Sequence, residues 1–282
     1  MKAAVWRRSL WKGSVDEMGR LLRFENRKLF RQVSFYVCLA VLALIVFLGI
    51  FSTYSMMKLL KTELGKELEP ETLEILGFQV GFSGRRYLLT ALGGNNLTLL
   101  LGIFIALFIC SDYVAGTAKN VIGRGFSRGK FIAAKEVLTL AGTGLFVLVA
   151  WGTSFVLATA YWGAGTDWSL TDVYRLAIQF VSVLAYAAFF SFLSFLFKKS
   201  GAAIALNIMA PVLVSLGLSI VDIFTKKLKF NFSDYWLADC LSVSSDVNAK
   251  TADLTRCGIT AGIYVVVFVL LTHLLFSRRD VS

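Results

Sequence analysis

Most enzyme chemistry has little to work with in this chain. One histidine, His273, occurs in 282 residues. That removes most metal-hydrolase sites and His-based acid–base schemes, which need imidazole beside further ligands or a nucleophile. Four cysteines, Cys38, Cys110, Cys240 and Cys257, lie far apart and form no metal-like pair. Cys38 and Cys110 fall within or at the edge of apolar runs, where cysteine acts as a small apolar residue. Spacing alone leaves open whether Cys240 and Cys257 pair. Charge is missing from whole stretches: Asp112, Glu136 and Asp222 read as residues at the ends of apolar runs, within reach of water or headgroups. Buried carboxylates of the kind that mark proton-coupled carriers are therefore not expected.

A phosphate-binding loop is missing as well. The glycine-rich stretch Gly123-Arg124-Gly125-Phe126-Ser127-Arg128-Gly129-Lys130 invites the comparison. Counting from Gly123 puts Arg128 where the second glycine of that motif belongs, and Phe131 follows Lys130 where Ser or Thr is needed. No strand precedes it. The sequence thus predicts no catalytic residue, no metal and no cofactor in this chain.

What the chain does have is apolar length. Hydrophobic residues make up 57% of it, and six runs of about 20 residues can cross some 30 Å of hydrocarbon. They cover about 33–57, 87–111, 137–162, 176–197, 200–222 and 257–276. The first holds thirteen Leu, Ile, Phe or Val side chains and no charge. At about −0.3 to −0.6 kcal/mol each these favour insertion by several kcal/mol, whereas one central charge would cost about 3 kcal/mol. Each span must be helical, because lipid cannot satisfy an open backbone. The expected fold is an all-α polytopic membrane protein with six transmembrane helices. Nine basic residues precede the first run, which is too long for the apolar core of a signal peptide, so a cleaved leader is not expected.

Charge sets the orientation. Residues 1–32 are net +6, 112–136 net +3, Lys198-Lys199 +2 and the tail 277–282 +1, while 58–86, 163–175 and 222–256 are 0, −1 and 0. Nearly all positive excess lies on one side, which the positive-inside rule assigns to the cytoplasm together with both termini. The net charge of +11 is thus explained by topology and contact with anionic lipid, without nucleic-acid binding. Residues 16–32 read as an amphipathic interfacial helix, with Met18, Leu21, Leu22, Leu29 and Phe30 on an apolar arc and Arg20, Arg23, Arg27 and Arg31 near helical spacing. The chain divides into a cytoplasmic segment 1–32, a membrane domain 33–276 with loop 112–136 inside and loops 58–86, 163–175 and 223–256 outside, and a tail 277–282. In the outer loops, Pro70 is placed to start a second short helix, and Tyr235 and Trp236 suit the membrane interface. Pro211 is expected to kink the fifth span.

The basic loop after the second span carries Asp112-Tyr113, Gly116-Thr117, Lys119-Asn120, Arg124, Gly125, Ser127-Arg128 and Lys135. In this topology the pattern resembles the type-2 ATP-binding-cassette (ABC) permeases. Glu25-x-x-Lys28 resembles that family's interfacial helix, and Arg278-Arg279-Asp280-Val281 its basic-acidic tail. The resemblance implies a half-transporter that has no motor of its own. It would work with two cytosolic ABC ATPase subunits, which hold ATP and Mg, and with a second permease subunit, identical or homologous. It also implies that Glu25, Lys28, Asp112, Gly116, Thr117, Lys119, Asn120, Arg124, Gly125, Ser127, Arg128 and Lys135 belong to the ATPase-coupling region. An amphipathic or lipophilic cargo, such as an antimicrobial peptide or a drug, is expected to leave across the cytoplasmic membrane of a bacterium. Two other classes stay open: a secondary transporter, and a non-transporting immunity or sensor subunit that binds a peptide through its outer loops.

Overall fold

The computed structural model describes residues 17–64, 82–166, 168–225 and 231–276. Among these there is no strand. A helix at 17–29, α1, turns at 30–32 into α2 (Val33–Leu64). There follow α3 (Gly84–Thr90), α4 (Asn95–Val114), α5 (Thr117–Gly123), α6 (Arg128–Trp162), α7 (Leu170–Phe197), α8 (Ser200–Phe224), a 3-10 turn (Ser233–Tyr235), α9 (Leu237–Ser245) and α10 (Thr251–Phe276). Six helices, α2, α4, α6, α7, α8 and α10, are long and apolar enough to span a bilayer. The protein is an all-α, multi-pass membrane protein.

The helices start and stop where local chemistry dictates. Ser127 caps α6 by accepting from the Lys130 N–H, and α6 ends at Gly163, whose φ of 86° suits glycine. Ser169 and Asp172 form a capping box at the start of α7. Lys198, left-handed at φ 56°, turns the chain into α8 within two residues, as the short Lys198-Lys199 link requires. Pro211 is accommodated inside α8, which is helical throughout its length.

Several boundaries differ from the sequence reading, each for a local reason. The second span begins at Asn95, because Gly93 and Gly94 interrupt the helix. Residues 84–90 form the separate helix α3, which packs on α6. Helices α6, α7 and α10 start several residues before their apolar runs, since polar turns continue a helix beyond hydrocarbon. Trp236 is buried between Phe189 and Tyr264 instead of lying at an interface, whereas Tyr235 remains exposed. Pro70 and the tail motif Arg278–Val281 lie outside the described residues.

Polar side chains tie the end of the molecule opposite the basic loop. Arg85 makes a two-pronged bond to Asp172 at 2.9 Å, Arg175 donates to the carbonyls of Asp246 and Ala249, and Gln179 bridges α3 to α9 through Leu89 and Ser244. In the middle, Asn207 of α8 donates to the Gly102 carbonyl of α4 at 2.9 Å and to Ser194 Oγ at 3.2 Å. Such cross-helix bonds replace the hydrophobic drive that is missing between helices in lipid. Toward the basic end, Phe35, Phe104, Phe108 and Phe146 form one buried ring cluster with Phe35–Phe104 and Phe104–Phe146 centroids 5.2 Å apart. Each such pair adds about 0.5–1.5 kcal/mol beyond area burial. This cluster is the floor of the site described next.

Candidate functional site

Helix α1 packs against the helical bundle. Leu21, Glu25 and Leu29 recur every four residues and are all buried, so one face of α1 packs into the protein. Met18 and Leu22 flank that face, while Phe24 and Phe30 are exposed. A carboxylate in the middle of the buried stripe demands a partner. That partner is Lys135 of α6, whose Nζ lies 2.7 Å from Glu25 Oε2.

Lys135 has no solvent exposure at all. Beyond Glu25 it is ion-paired with Asp112 at the end of α4, donates to the Phe108 carbonyl at 3.3 Å and sits 3.8 Å over the Phe108 ring. Asp112 is likewise paired with Lys28 of α1 and accepts from Thr117 Oγ1 at 2.6 Å. Two ammonium groups and two carboxylates thus close a neutral network joining α1, α4, α5 and α6. Burial and the like charge of Lys135 push Lys28 down to about 8, partly opposed by Glu25. Removing one member of such a network leaves a buried charge unmatched, which costs far more than an exposed pair contributes.

The expectation that Asp112 and Glu136 lie open to water is therefore corrected. Asp112 is 1% exposed and Glu136 is 4% exposed. The helix places both inward: Ile132, Lys135, Glu136 and Thr139 share one buried stripe of α6 at helical spacing. Among the described residues no cation pairs with Glu136, and the buried Ser191 hydroxyl of α7 is its polar neighbour.

The remaining residues build the surface above the network. Gly116, at φ 66°, caps α5 in the left-handed region, and Gly125, at φ 92°, reverses the chain after it. Between these glycines α5 buries Ala118 and exposes Lys119 and Asn120, with Arg124 exposed at its end. Ser127 caps α6, and Arg128 opens it half-buried. Lys130 pairs with Glu17 of α1 at 2.7 Å, holding that acid below its usual range. The twelve residues singled out in the sequence separate into two groups. Glu25, Lys28, Asp112, Thr117 and Lys135 meet in the buried network. Gly116, Lys119, Asn120, Arg124, Gly125, Ser127 and Arg128 shape and present a short helix above it. Helix α5 is tied to α4 by the Thr117–Asp112 hydrogen bond, and the ion pairs tie α4 to α1 and α6.

Two of the cavities among the described residues lie beside these groups. A pocket of about 250 Å³ beside the network is lined by Asp112, Tyr113, Gly116, Lys119, Lys198 and Lys199. A larger one of about 370 Å³, between α4, α7 and α8, is mostly apolar, with Thr98, Tyr186, Asn207 and Ser215 as its polar lining. Asn207 and Glu136 were not expected as features of a site. Both occupy buried positions of helices that are apolar nearly all round, so the 3.6-residue period gives no facing direction.

Residues 79–282 match the family described as Protein of unknown function (DUF2705). The match takes in Asp112 and Lys135 but stops short of Glu25 and Lys28. No curated protein matches the chain.

Proposed function

We propose that this chain, which belongs to the family described as Protein of unknown function (DUF2705), is the permease subunit of an ATP-driven ABC exporter. A separate cytosolic ATPase would dock on α5. The observation that carries this reading is the buried network of Lys135, Glu25, Asp112 and Lys28 beneath an exposed, glycine-bounded helix. A seven-residue helix of this kind cannot bury much area by itself. What it offers is a stiff connection to three longer helices and a basic rim, Lys119 and Arg124, that suits steering of an acidic partner. The charge asymmetry favours the cytoplasm for this end, where ATP is available. The resemblance to type-2 ABC permeases supplies the remaining parts: two ATPase subunits with ATP and Mg, a second permease copy or relative, and a bacterial cytoplasmic membrane. The 370 Å³ cavity, apolar with four polar groups, suits an amphipathic or lipophilic cargo better than a small ion.

Function in this reading is mechanical. Closure of the ATPase pair on ATP would move α5, and the ion pairs would carry the motion to α1 at the interface and to α4 and α6 across the membrane. Purification of the tagged chain in mild detergent from its native host tests the reading. A stoichiometric ATPase that is lost in R124E/R128E supports it. Recovery of the intact chain with no ATPase, from membranes crosslinked before extraction, refutes it.

One observation favours a second reading, an ion-coupled carrier. Glu136 is buried about 12 Å along α6 from Arg128, at 1.5 Å per residue, and no described cation pairs with it. Intramembrane carboxylates of this kind often serve ion or proton pathways. The two readings part on Gly116→Val: an ATP-driven exporter loses transport, while a carrier retains it.

A further inference from the structure

At the end of the molecule opposite the basic network, α9 and the start of α10 bring two cysteines together. Cys240 and Cys257 are both fully buried and belong to one apolar cluster with Ile178 and Leu254. In the structure both are free thiols, and their side chains are neighbours within that cluster. Arg256 lies against Cys257 and is also paired with Asp234, Asp239 and Asp253. The link between the two helices is held as well: Arg175 of α7 donates to the carbonyls of Asp246 and Ala249, the Asn248 N–H donates to Asp246 Oδ1, and the Ala249 N–H to the Asp246 carbonyl. The link between the two cysteine-bearing helices is thus held by bonds that do not involve the sulfurs.

We propose that Cys240 and Cys257 form an intramolecular disulfide on the outer side of the membrane. The proposal rests on the orientation used above, which puts this end in the more oxidising compartment, where disulfides persist. Formation removes two protons and two electrons from the thiols. The acceptor is an outer-face dithiol–disulfide oxidoreductase: one cysteine thiolate attacks its disulfide, giving a mixed disulfide, and the second displaces it, leaving the oxidase as a dithiol. Oxidation precedes final packing of α9 against α10, and burial then shields the bond from reductants. The bond closes a ring around the Arg175-held link and fastens α9 to α10. Cys38 and Cys110, each buried elsewhere in the bundle, stay reduced.

The test uses membranes from the native host grown in air. They are acid-quenched, denatured with N-ethylmaleimide, then reduced and labelled with polyethylene-glycol maleimide. Two labels per chain are expected after reduction, two in C38S/C110S, and none in C240S or C257S. Absence of label after reduction, or label unchanged in C240S, overturns the proposal. Orientation is read separately from Asn231→Cys in a C240S/C257S chain, using an impermeant maleimide on intact cells. Labelling from outside with no reducible pair sinks the disulfide alone. Labelling only after permeabilisation sinks the orientation and, with it, this placement of the bond.

Discussion

Replacing Lys135 by methionine tests whether the buried network is a unit. Lys135 is wholly enclosed and faces two carboxylates, Glu25 and Asp112. Its loss leaves Asp112 with Lys28 but strands Glu25 on the packed face of α1. Breaking a buried pair in this way costs about 3–5 kcal/mol. Glu25→Gln alone is milder, about 1.5–3 kcal/mol, because Lys135 keeps Asp112 and the Phe108 carbonyl. The double variant E25Q/K135M removes one charge of each sign and leaves Lys28–Asp112 intact. It is therefore expected to be no less stable than K135M alone, a favourable coupling of at least about 1.5–3 kcal/mol. Reversible unfolding by sodium dodecyl sulfate in mixed micelles, followed by two optical probes to check two-state behaviour, gives the four stabilities of the cycle. Additive costs, or a K135M penalty under about 1 kcal/mol, would refute the reasoning.

Four further outcomes follow from the same geometry. Gly116→Val forces a β-branched residue to φ 66°; a cost of about 1–2 kcal/mol is expected in α5, and under the proposed exporter reading ATP-driven transport is lost while the chain still reaches the membrane, read by vesicle transport and surface yield. Asn207→Leu leaves the Gly102 carbonyl and Ser194 Oγ without their donor and is expected to cost about 1–3 kcal/mol in the same unfolding assay. Glu136→Gln is expected to fall within about 1 kcal/mol of the parent, since no described cation loses a partner; a loss comparable to K135M would contradict that. For pH, the folded chain holds Lys28 near 8 against an ordinary 10.5, so it binds fewer protons than the unfolded chain between those values. Stability should then rise with pH through that window, and the rise should vanish in Lys28→Met when unfolding midpoints are compared at pH 7.5 and 9.5.

The six spans were legible because membrane insertion is decided by summed apolarity, and each run satisfies that sum without help from its neighbours. The start of the second span was not, because Gly93-Gly94 breaks a run that composition alone continues back to Tyr87. The site was half visible. Glu25, Lys28, Asp112 and Lys135 could be gathered by resemblance, yet their meeting depends on how α1 docks, a long-range contact that no local pattern encodes. A signal did exist in the Leu21–Glu25–Leu29 stripe, where an acid occupies the middle of an apolar face and so calls for a buried cation. Lys135 and Glu136 sit side by side on α6 and both point inward, but a pair of opposite charges at the end of an apolar run reads equally well as a solvated boundary. Trp236 was assigned to an interface by residue type; tertiary packing against Phe189 and Tyr264 decided otherwise.

Site-specific photocrosslinking tests most directly whether α5 is where an ATPase docks. A benzophenone side chain would be placed at Asn120, exposed on α5, and for comparison at Leu170, exposed at the far end of the molecule. Illumination of native membranes is predicted to join Asn120, and not Leu170, to a soluble chain that carries a nucleotide-binding motif, with yield changing on addition of ATP. No adduct from Asn120 in a chain of normal abundance, or an adduct only with proteins lacking such a motif, would contradict the account.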